Sequence, residues 1–247
     1  MKRIRAALVI GWIGLMMIVS LPLFLISFII GKSDKIKEQW FAQHFIQFVF
    51  RGALKAASTN LTVKGFENIP RDTAVLYVSN HRSFFDIISI YSLVPGLTGI
   101  VAKESIKKVP ILHAWMKILK CLFLNRADTR EALKTILTGI DNIKSGVSML
   151  IFPEGTRGPS NTEMLPFKEG SFKLATKPGV PIVPIALTNT GTIFEDNGGL
   201  RIQKCHAIIE FGKPIYTKNL DREAQKTICA DTQAVIQEML LNNVNEI

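Results

Sequence analysis

A histidine and an aspartate five positions apart, His81 and Asp86, are the first residues in this sequence whose types could do chemistry together. Histidine, with an unperturbed pKa of about 6.5, can accept a proton near neutral pH, and a carboxylate on its other ring nitrogen fixes the tautomer and stabilises the imidazolium. Within one regular helix, five residues would separate the two side chains by about 140°, given roughly 3.6 residues per turn. We therefore expect His81 in a turn before a helix and Asp86 in the first turn of that helix.

The same segment also has a purely structural interpretation. Residues 83–86 fit a capping box, and an acidic residue in the first turn of a helix is favourable in any case. The spacing from His81 to Asp86 occurs often by chance, and no second cluster of histidines or carboxylates accompanies it. We expect no metal site, and the spacing alone leaves both a catalytic dyad and a helix cap open.

A second polar segment, Phe-Pro-Glu-Gly-Thr-Arg at residues 152–157, directly follows the β-rich run VSMLI. The first segment, Asn80 to Asp86, likewise follows the run AVLYVS. In open α/β sheets the chemistry gathers just beyond the carboxyl ends of strands, so both segments stand where a site is expected.

The elements that must position these segments are predicted by an alternation of β-rich runs and helical patterns from about residue 60 onward. Strands are expected at residues 73–79, 147–152, 180–187 and 207–211, and helices at 83–93, 128–145 and 221–241. This order predicts an α/β fold in which helices cover a mixed, largely parallel sheet. Without an internal repeat or long linker, the chain divides into an N-terminal membrane-associated helical segment, residues 1–58, and one α/β domain, residues 59–247.

The first sixty residues predict a membrane anchor. The uncharged stretch 6–30 would measure roughly 37 Å as a helix, enough to span a bilayer, and it is longer than the apolar region of a signal peptide. Lysines and arginines flank it on both sides, so the positive-inside rule gives no orientation. Pro22 favours a bent, shallow insertion that returns to the cytoplasmic face, and one tilted span is an equal alternative. Residues 33–58 then predict an amphipathic helix.

Composition narrows the class of protein and its partners. Of 247 residues 47% are hydrophobic, which excludes a disordered chain, and a net charge of +10 favours partners that carry negative charge. The cations are spread along the chain without a recognisable nucleic-acid-binding module, so no nucleic-acid partner is expected. The three cysteines form no C-x-x-C pair, which argues against a disulfide framework or a zinc site.

A covalent acyl-enzyme mechanism has no obvious nucleophile in this sequence. It contains no G-x-S-x-G elbow, and Cys205 adjoins His206 on a predicted strand, where neighbouring side chains face opposite ways. A general base that acts on a substrate hydroxyl needs no such nucleophile.

The two polar segments together, NHRSFFD and FPEGTR about seventy residues apart, resemble the glycerolipid acyltransferase family, and most closely its bacterial 1-acyl-glycerol-3-phosphate acyltransferases. The similarity covers roughly residues 60–215 and includes Lys103-Glu104 before Pro110, and the segments 123–126, 167–170 and 180–184. The apolar leader also looks like the family's membrane anchor. Asn125 stands where the family commonly has an acidic residue, and residues 113–115 where it often has a glycine-containing turn.

The resemblance implies a role for each candidate site residue. His81 would be the general base that deprotonates the free hydroxyl of a lysophospholipid, and Asp86 would orient it. The acceptor's phosphate would be held by Glu154, Gly155, Thr156 and Arg157, with Lys103, Arg126 and Lys168 as supporting cations. A guanidinium offers a donor fork that matches phosphate oxygens, and glycine lets the backbone approach closely. The alternative for the supporting cations is solvated surface charge.

The implied reaction moves an acyl chain from acyl-CoA or acyl-ACP to the sn-2 hydroxyl of 1-acyl-sn-glycerol 3-phosphate, giving phosphatidic acid in phospholipid biosynthesis. No cofactor is expected beyond the thioester co-substrate. The expected partners are the lysophospholipid acceptor, membrane lipids and an acyl carrier protein as one possible donor, and the expected location is a bacterial inner membrane with the catalytic domain on the cytoplasmic side. Glycerol 3-phosphate or another lysolipid is an alternative acceptor, and a non-enzymatic membrane or nucleic-acid binder is a remote second class.

Overall fold

Two long helices precede the sheet in the computed structural model, which describes residues 1–125 and 128–247. The first, α1, spans Lys2–Ser33 and the second, α2, spans Lys35–Ala57. The turn between them is fixed by Asp34, whose carboxylate accepts hydrogen bonds from the backbone N–H groups of Ile36 and Lys37 at 2.9 and 3.0 Å, an N-cap of the kind that starts many helices. The helices predicted from the first sixty residues are therefore present.

The two helices pack along a stripe of small residues. On α1 the buried positions recur every three, four or seven residues and include Ala6, Ser20, Ser27 and Gly31. The indole N–H of Trp12 donates to the carbonyl of Val49 on α2 at 2.8 Å. Pro22 lies inside α1, and the helix continues through it to Ser33.

α1 also contacts the rest of the protein in both of its halves. Near its start, Ala6 and Val9 belong to the same buried apolar cluster as Phe85 and Cys205, and the Ile202 N–H donates to the Lys2 carbonyl at 3.0 Å. Further along, the ring of Phe24 meets that of Trp115 edge to face at 5.6 Å. The helix therefore lies along the domain instead of projecting from it.

A seven-stranded sheet, in the order β1-β7-β6-β2-β5-β3-β4, forms the centre of the domain. Every neighbouring pair is parallel except β6 and β7, which confirms the predicted mixed, largely parallel sheet. The strands are β1 (Thr59–Lys64), β2 (Leu76–Ser79), β3 (Thr98–Lys103), β4 (Leu122–Leu124), β5 (Ser148–Ile151), β6 (Ile182–Thr188) and β7 (Cys205–Phe211).

Helices cover both faces of this sheet. One core cluster joins α2, α3 and α4 to one face, and a second joins α5, α6 and α7 to the other. Strands β2, β5 and β6 are buried along their whole length, as expected for parallel strands with both faces covered. The helices are α3 (Phe84–Tyr91), α4 (Pro110–Ile118), α5 (Thr129–Lys144), α6 (Lys173–Thr176) and α7 (Arg222–Val244).

The sequence-based boundaries differ from the structure in definite ways. The strand predicted at 73–79 begins only at Leu76, because the Val75 N–H is taken by the Ser148 hydroxyl at 3.1 Å. The prediction omitted β1, β3 and β4. Two of these are the outermost strands of the sheet, half-buried or only three residues long, and β3 begins with Thr98-Gly99, where glycine weakens the strand pattern.

Candidate active site

The His81–Asp86 pair forms at the junction between β2 and α3. His81 lies in the turn after β2, and Asp86 is the third residue of α3. The Nδ1–H of His81 donates to Asp86 Oδ2 at 2.8 Å, and the same oxygen accepts the backbone N–H groups of Arg82 and Ser83 at 2.6 and 2.7 Å. Ser83 caps the helix by accepting the Phe85 N–H at 3.0 Å. The structure thus contains both the helix cap and the hydrogen-bonded pair, since Asp86 takes part in the capping box and bonds the histidine at once. The catalytic role of the pair stays a prediction.

Among the residues that the structure describes, none forms a hydrogen bond with the second ring nitrogen of His81, Nε2. Because a carboxylate can only accept, Nδ1 carries the proton toward Asp86, and in the neutral form of the ring the lone pair is then on Nε2. The imidazole stacks on the Phe152 ring, with 4.3 Å between centroids, and its side chain is 18% exposed. Asp86 is fully buried. The ring is therefore held in one orientation while remaining open to a substrate.

A residue that sequence reasoning missed completes this hydrogen-bond chain. The hydroxyl of Thr190, which follows β6, donates to the second oxygen of Asp86. Thr190 is itself fully buried. Both carboxylate oxygens are thus occupied, which fixes the plane in which Asp86 presents its lone pairs to His81.

The carboxylate of Glu154 fastens the second polar segment to the first. It accepts the His81 N–H and the Leu165 N–H, both at 2.7 Å, and it is only 5% exposed. Burial raises its pKa above the ordinary value of glutamate. In addition, the Gly158 N–H donates to the His81 carbonyl at 2.7 Å. Glu154 therefore positions backbone in this structure, and a direct part in holding phosphate stays a prediction.

Gly155 and Lys168 lie against each other in the loop after β5. Gly155 has φ +77°, a conformation that favours glycine, and a Cβ there would come within 2.9 Å of the Lys168 Nζ. Lys168 is held by its backbone N–H, which donates to the Pro153 carbonyl at 3.1 Å. Thr156 is exposed beside them.

The other two predicted cations are Lys103 and Arg126. Lys103 is the last residue of β3, exposed at the same sheet edge, and its neighbour Ala102 lines one small cleft together with Gly155 and Lys168. Arg126 lies outside the described residues. Asn125, at the departure from the family pattern, donates to Glu131 of α5 at 3.0 Å.

Arg157 is held by two side chains from other segments. Its Nη1 donates to Glu195 at 3.2 Å, and its guanidinium carbon lies 4.2 Å from the centroid of the Phe84 ring. The Arg157 side chain is 39% exposed, against 12% for Glu195. Arg157 is thus oriented on one side and accessible on another.

Both residues that the sequence analysis missed, Thr190 and Glu195, follow β6. The strand before them was predicted, and the polar run Thr188-Asn189-Thr190 after it is the signal that could have found the first of them. The end of β6 is tied to the end of β2 by Asn80, whose amide exchanges hydrogen bonds of 2.8 and 2.9 Å with the backbone of Leu187. Three neighbouring strand ends therefore build the site.

The chain is similar to known proteins over most of its length. A solved structure, that of the 1-acyl-sn-glycerophosphate acyltransferase PlsC from Thermotoga maritima, superposes with a TM-score of 0.81 at 26% identity and covers 98% of this chain and 97% of its own. The 1-acyl-sn-glycerol-3-phosphate acyltransferase of Saccharomyces cerevisiae is 34% identical over 197 residues, 79% of this chain and 63% of its own length. That of Chlamydomonas reinhardtii is 35% identical over 198 residues, 78% of this chain and 58% of its own.

The chain thus spans about three fifths of the length of these curated relatives. A family model described as Acyltransferase matches residues 60–188, more than half of the chain. The match includes the His81–Asp86 pair and the segment 152–157, and on this ground the chain belongs to the acyltransferase family.

Proposed function

We propose that this protein transfers an acyl chain from an acyl thioester to the sn-2 hydroxyl of 1-acyl-sn-glycerol 3-phosphate, giving phosphatidic acid. One observation carries the proposal, namely that an oriented His81–Asp86 pair and an accessible arginine, Arg157, occupy loops bonded to each other at one sheet edge. The His81 carbonyl and the Gly158 N–H, next to Arg157, join these loops at 2.7 Å. A base beside a phosphate-binding cation suits an acceptor that carries both a hydroxyl and a phosphate.

The chemistry requires one proton relay and no covalent enzyme intermediate. Nε2 of His81 removes the proton from the acceptor hydroxyl as its oxygen attacks the thioester carbonyl, forming a C–O bond. Collapse of the tetrahedral intermediate breaks the C–S bond, and the imidazolium returns its proton to the leaving thiolate. Asp86 stabilises the imidazolium between these two steps.

The acceptor assignment rests on charge and on the named relatives. Arg157 is the oriented cation. Lys168 lines the cleft with Gly155, and Lys103 ends β3 at the same edge of the sheet, so both add positive charge there. Glycerol 3-phosphate presents the same phosphate and is the alternative acceptor. The names of the relatives from yeast and alga support the lysophospholipid. The donor is acyl-CoA or acyl-ACP, and in the second case an acyl carrier protein is a partner.

The first helix supports work at a membrane. α1 has a mean hydropathy of 2.6 in its most apolar window, of which only 17% is buried, so most of its apolar side chains face outward. Its contacts with the domain in both halves favour a helix that lies along one lipid surface over one that crosses the bilayer. The resemblance to bacterial enzymes supports the inner membrane, with the domain on its cytoplasmic side.

Replacing His81 tests the proposed function. With lysophosphatidic acid and oleoyl-CoA, the wild-type protein should release free thiol, and His81→Ala should lower kcat at least about a hundredfold, the usual contribution of a general base. A thiol-reactive dye follows the reaction, and circular dichroism checks the fold.

His44→Ala is the matched control, because His44 is exposed on α2, far along the chain from the site segments, and among the described residues its ring contacts only the carbonyl and the ring of Trp40. It should keep wild-type turnover. Undiminished activity in His81→Ala, or a wild-type protein that never releases thiol from either donor, would refute the assignment.

A further inference from the structure

Glu195 lies beyond the segment that the family model matches, in a short helical turn, Glu195–Asn197, after β6. Its carboxylate nevertheless reaches into the site and makes three contacts. The Ser83 hydroxyl donates to Oε2, while the Phe84 N–H at 2.9 Å and Arg157 Nη1 at 3.2 Å donate to Oε1. One carboxylate therefore joins the start of α3 to the arginine of the phosphate-binding segment.

The acidic turn is anchored independently of Arg157. Its next residue, Asp196, accepts a hydrogen bond from the guanidinium of Arg82 at 2.5 Å, and the other end of that guanidinium donates to the Gly158 carbonyl at 3.3 Å. The Glu195 carboxylate also lies at the N-terminal end of α3, where the helix dipole favours a negative charge. Glu195 thus has a fixed position before any substrate arrives.

Arg157 in turn is held by few contacts. Besides Glu195, the structure gives its guanidinium only the face of Phe84, 4.2 Å from carbon to ring centroid, among the described residues. A stacked arginine gains attraction from the ring but can still slide over it. The ion pair with Glu195 fixes the orientation of the Arg157 guanidinium over the Phe84 ring, which stacking alone does not fix. The other N–H groups of the guanidinium stay available to a ligand.

We propose, on the basis of the proposed function, that Glu195 is a positioning residue that holds the Arg157 guanidinium ready for the acceptor's phosphate. Glu195 acts through the arginine and needs no contact with the substrate. The geometry that carries this inference is the shared oxygen Oε1, which accepts from both Phe84 and Arg157.

The opposite role would be that of a competitor, a carboxylate that occupies the arginine until phosphate displaces it. If the Glu195 carboxylate moved away, the Ser83 hydroxyl and the Phe84 N–H would lose this acceptor, and a buried polar group left without a partner is unfavourable. Ser83 is fully buried, so this cost applies to its hydroxyl. The two roles predict opposite changes in acceptor affinity when Glu195 is removed.

Binding of sn-glycerol 3-phosphate to the full-length protein, measured by calorimetry without thioester, tests the proposal. Glu195→Ala should raise the Kd about tenfold, and Glu195→Gln, which keeps one acceptor oxygen, about threefold. In the thiol assay the KM for lysophosphatidic acid should rise by similar factors with kcat within about twofold, the pattern of lost uniform binding.

A double-substitution cycle separates positioning from a general structural effect. In an Arg157→Ala background, Glu195→Ala should change the Kd less than twofold, because the arginine through which it acts is gone. Glu223→Gln is the control for loss of one negative charge, since the one ion pair of Glu223 among the described residues is an exposed pair with Lys226 on α7. It should leave the Kd unchanged.

Tighter or unchanged binding in Glu195→Ala, or an equal loss in the Arg157→Ala background, would overturn the positioning role. A fall in kcat at constant KM would do so as well. If the wild-type protein releases no thiol, yet binding depends on Arg157 and Glu195 together, the proposed reaction fails and the positioning role stands.

Discussion

At the scale of single residues, Asp86 takes part in both arrangements that the sequence offered as alternatives, the helix cap and the pair with His81. Its Oδ2 accepts from the ring of His81 and from two backbone N–H groups of the helix start, and its Oδ1 accepts from Thr190. The capping bonds fix the carboxylate, and the fixed carboxylate orients the imidazole. A residue that caps a helix here also orients the imidazole of His81.

Asp86→Asn should therefore reduce both activity and stability. The amide of asparagine has one acceptor oxygen for the four groups that donate to Asp86, and its NH₂ would face N–H or O–H donors. We therefore expect kcat to fall by about a hundredfold or more. The free energy of unfolding should fall by about 1–3 kcal/mol. Thiol release and urea denaturation measure the two effects. Thr190→Val, which removes only one donor, should lower kcat by tenfold or less. A stable Asp86→Asn protein, or a destabilised one with near-normal kcat, would contradict the double function.

The residues found from sequence and those missed differ in how far apart along the chain their partners lie. His81 and Asp86 are five positions apart, so the turn and the helix that bring them together could be predicted from the local sequence. Thr190 and Glu195 meet α3 across more than a hundred residues, and nothing in their immediate neighbours indicates that contact. The roles of Arg157, Lys168 and Lys103 at phosphate stay predictions.

At the scale of elements, the strands that are buried along their whole length were predictable, whereas β1, β3 and β4 were not. Strands β2, β5 and β6 are continuous apolar runs because helices bury both of their faces, and the polar segments stand out directly after them. The outer strands β1 and β4 are partly exposed and carry a weaker pattern. The sequence therefore identified two of the three strand ends that build the site.

The pairing of α1 with α2 depends on Gly52. A Cβ at this position would lie 2.2 Å from the indole of Trp12, so Gly52→Ala should displace that ring and cost about 1–3 kcal/mol of stability, as overpacking does. Tryptophan emission and the thermal midpoint would register the change. Gly14→Ala is the matched control on α1, where nothing lies within 4 Å and the better helix former should keep or raise the midpoint. Equal midpoints for the two variants would show that Trp12 does not constrain α2.

At the scale of the whole molecule, the apolar surface of α1 belongs to the domain and not to a separate tether. Its first half packs with Phe85 and Cys205 and its second half with Trp115, while its outer face stays apolar and exposed. A continuous exposed apolar surface on one side of a protein is typical of a site that contacts lipid or another protein. The division of the chain at residues 58 and 59 stays a prediction, although α2 ends and β1 begins there.

Ile18→Lys tests whether that surface meets lipid. Ile18 is 67% exposed in the middle of α1, and a lysine at the centre of a bilayer costs about 2.5–3.5 kcal/mol. At a shallower depth we expect binding to phosphatidylglycerol-containing vesicles to weaken at least about tenfold, as measured by flotation. Leu241→Lys, on the exposed side of α7 at 49% exposure, should float as the wild type does. Equal flotation of the two variants would exclude the central part of α1 from the lipid contact.

The first turn of α3 carries Asp86, which steers the imidazole, and also Ser83 and Phe84, which through Glu195 steer the guanidinium. The imidazole of His81 and the guanidinium of Arg157 are consequently both positioned by the N-terminal end of α3. A substitution that tilts or shifts this helix should therefore reduce turnover and acceptor binding together. A change confined to one loop can reduce either of them alone. Correlated losses in both kinetic constants would thus diagnose a shifted helix even in a variant whose substitution is remote from it.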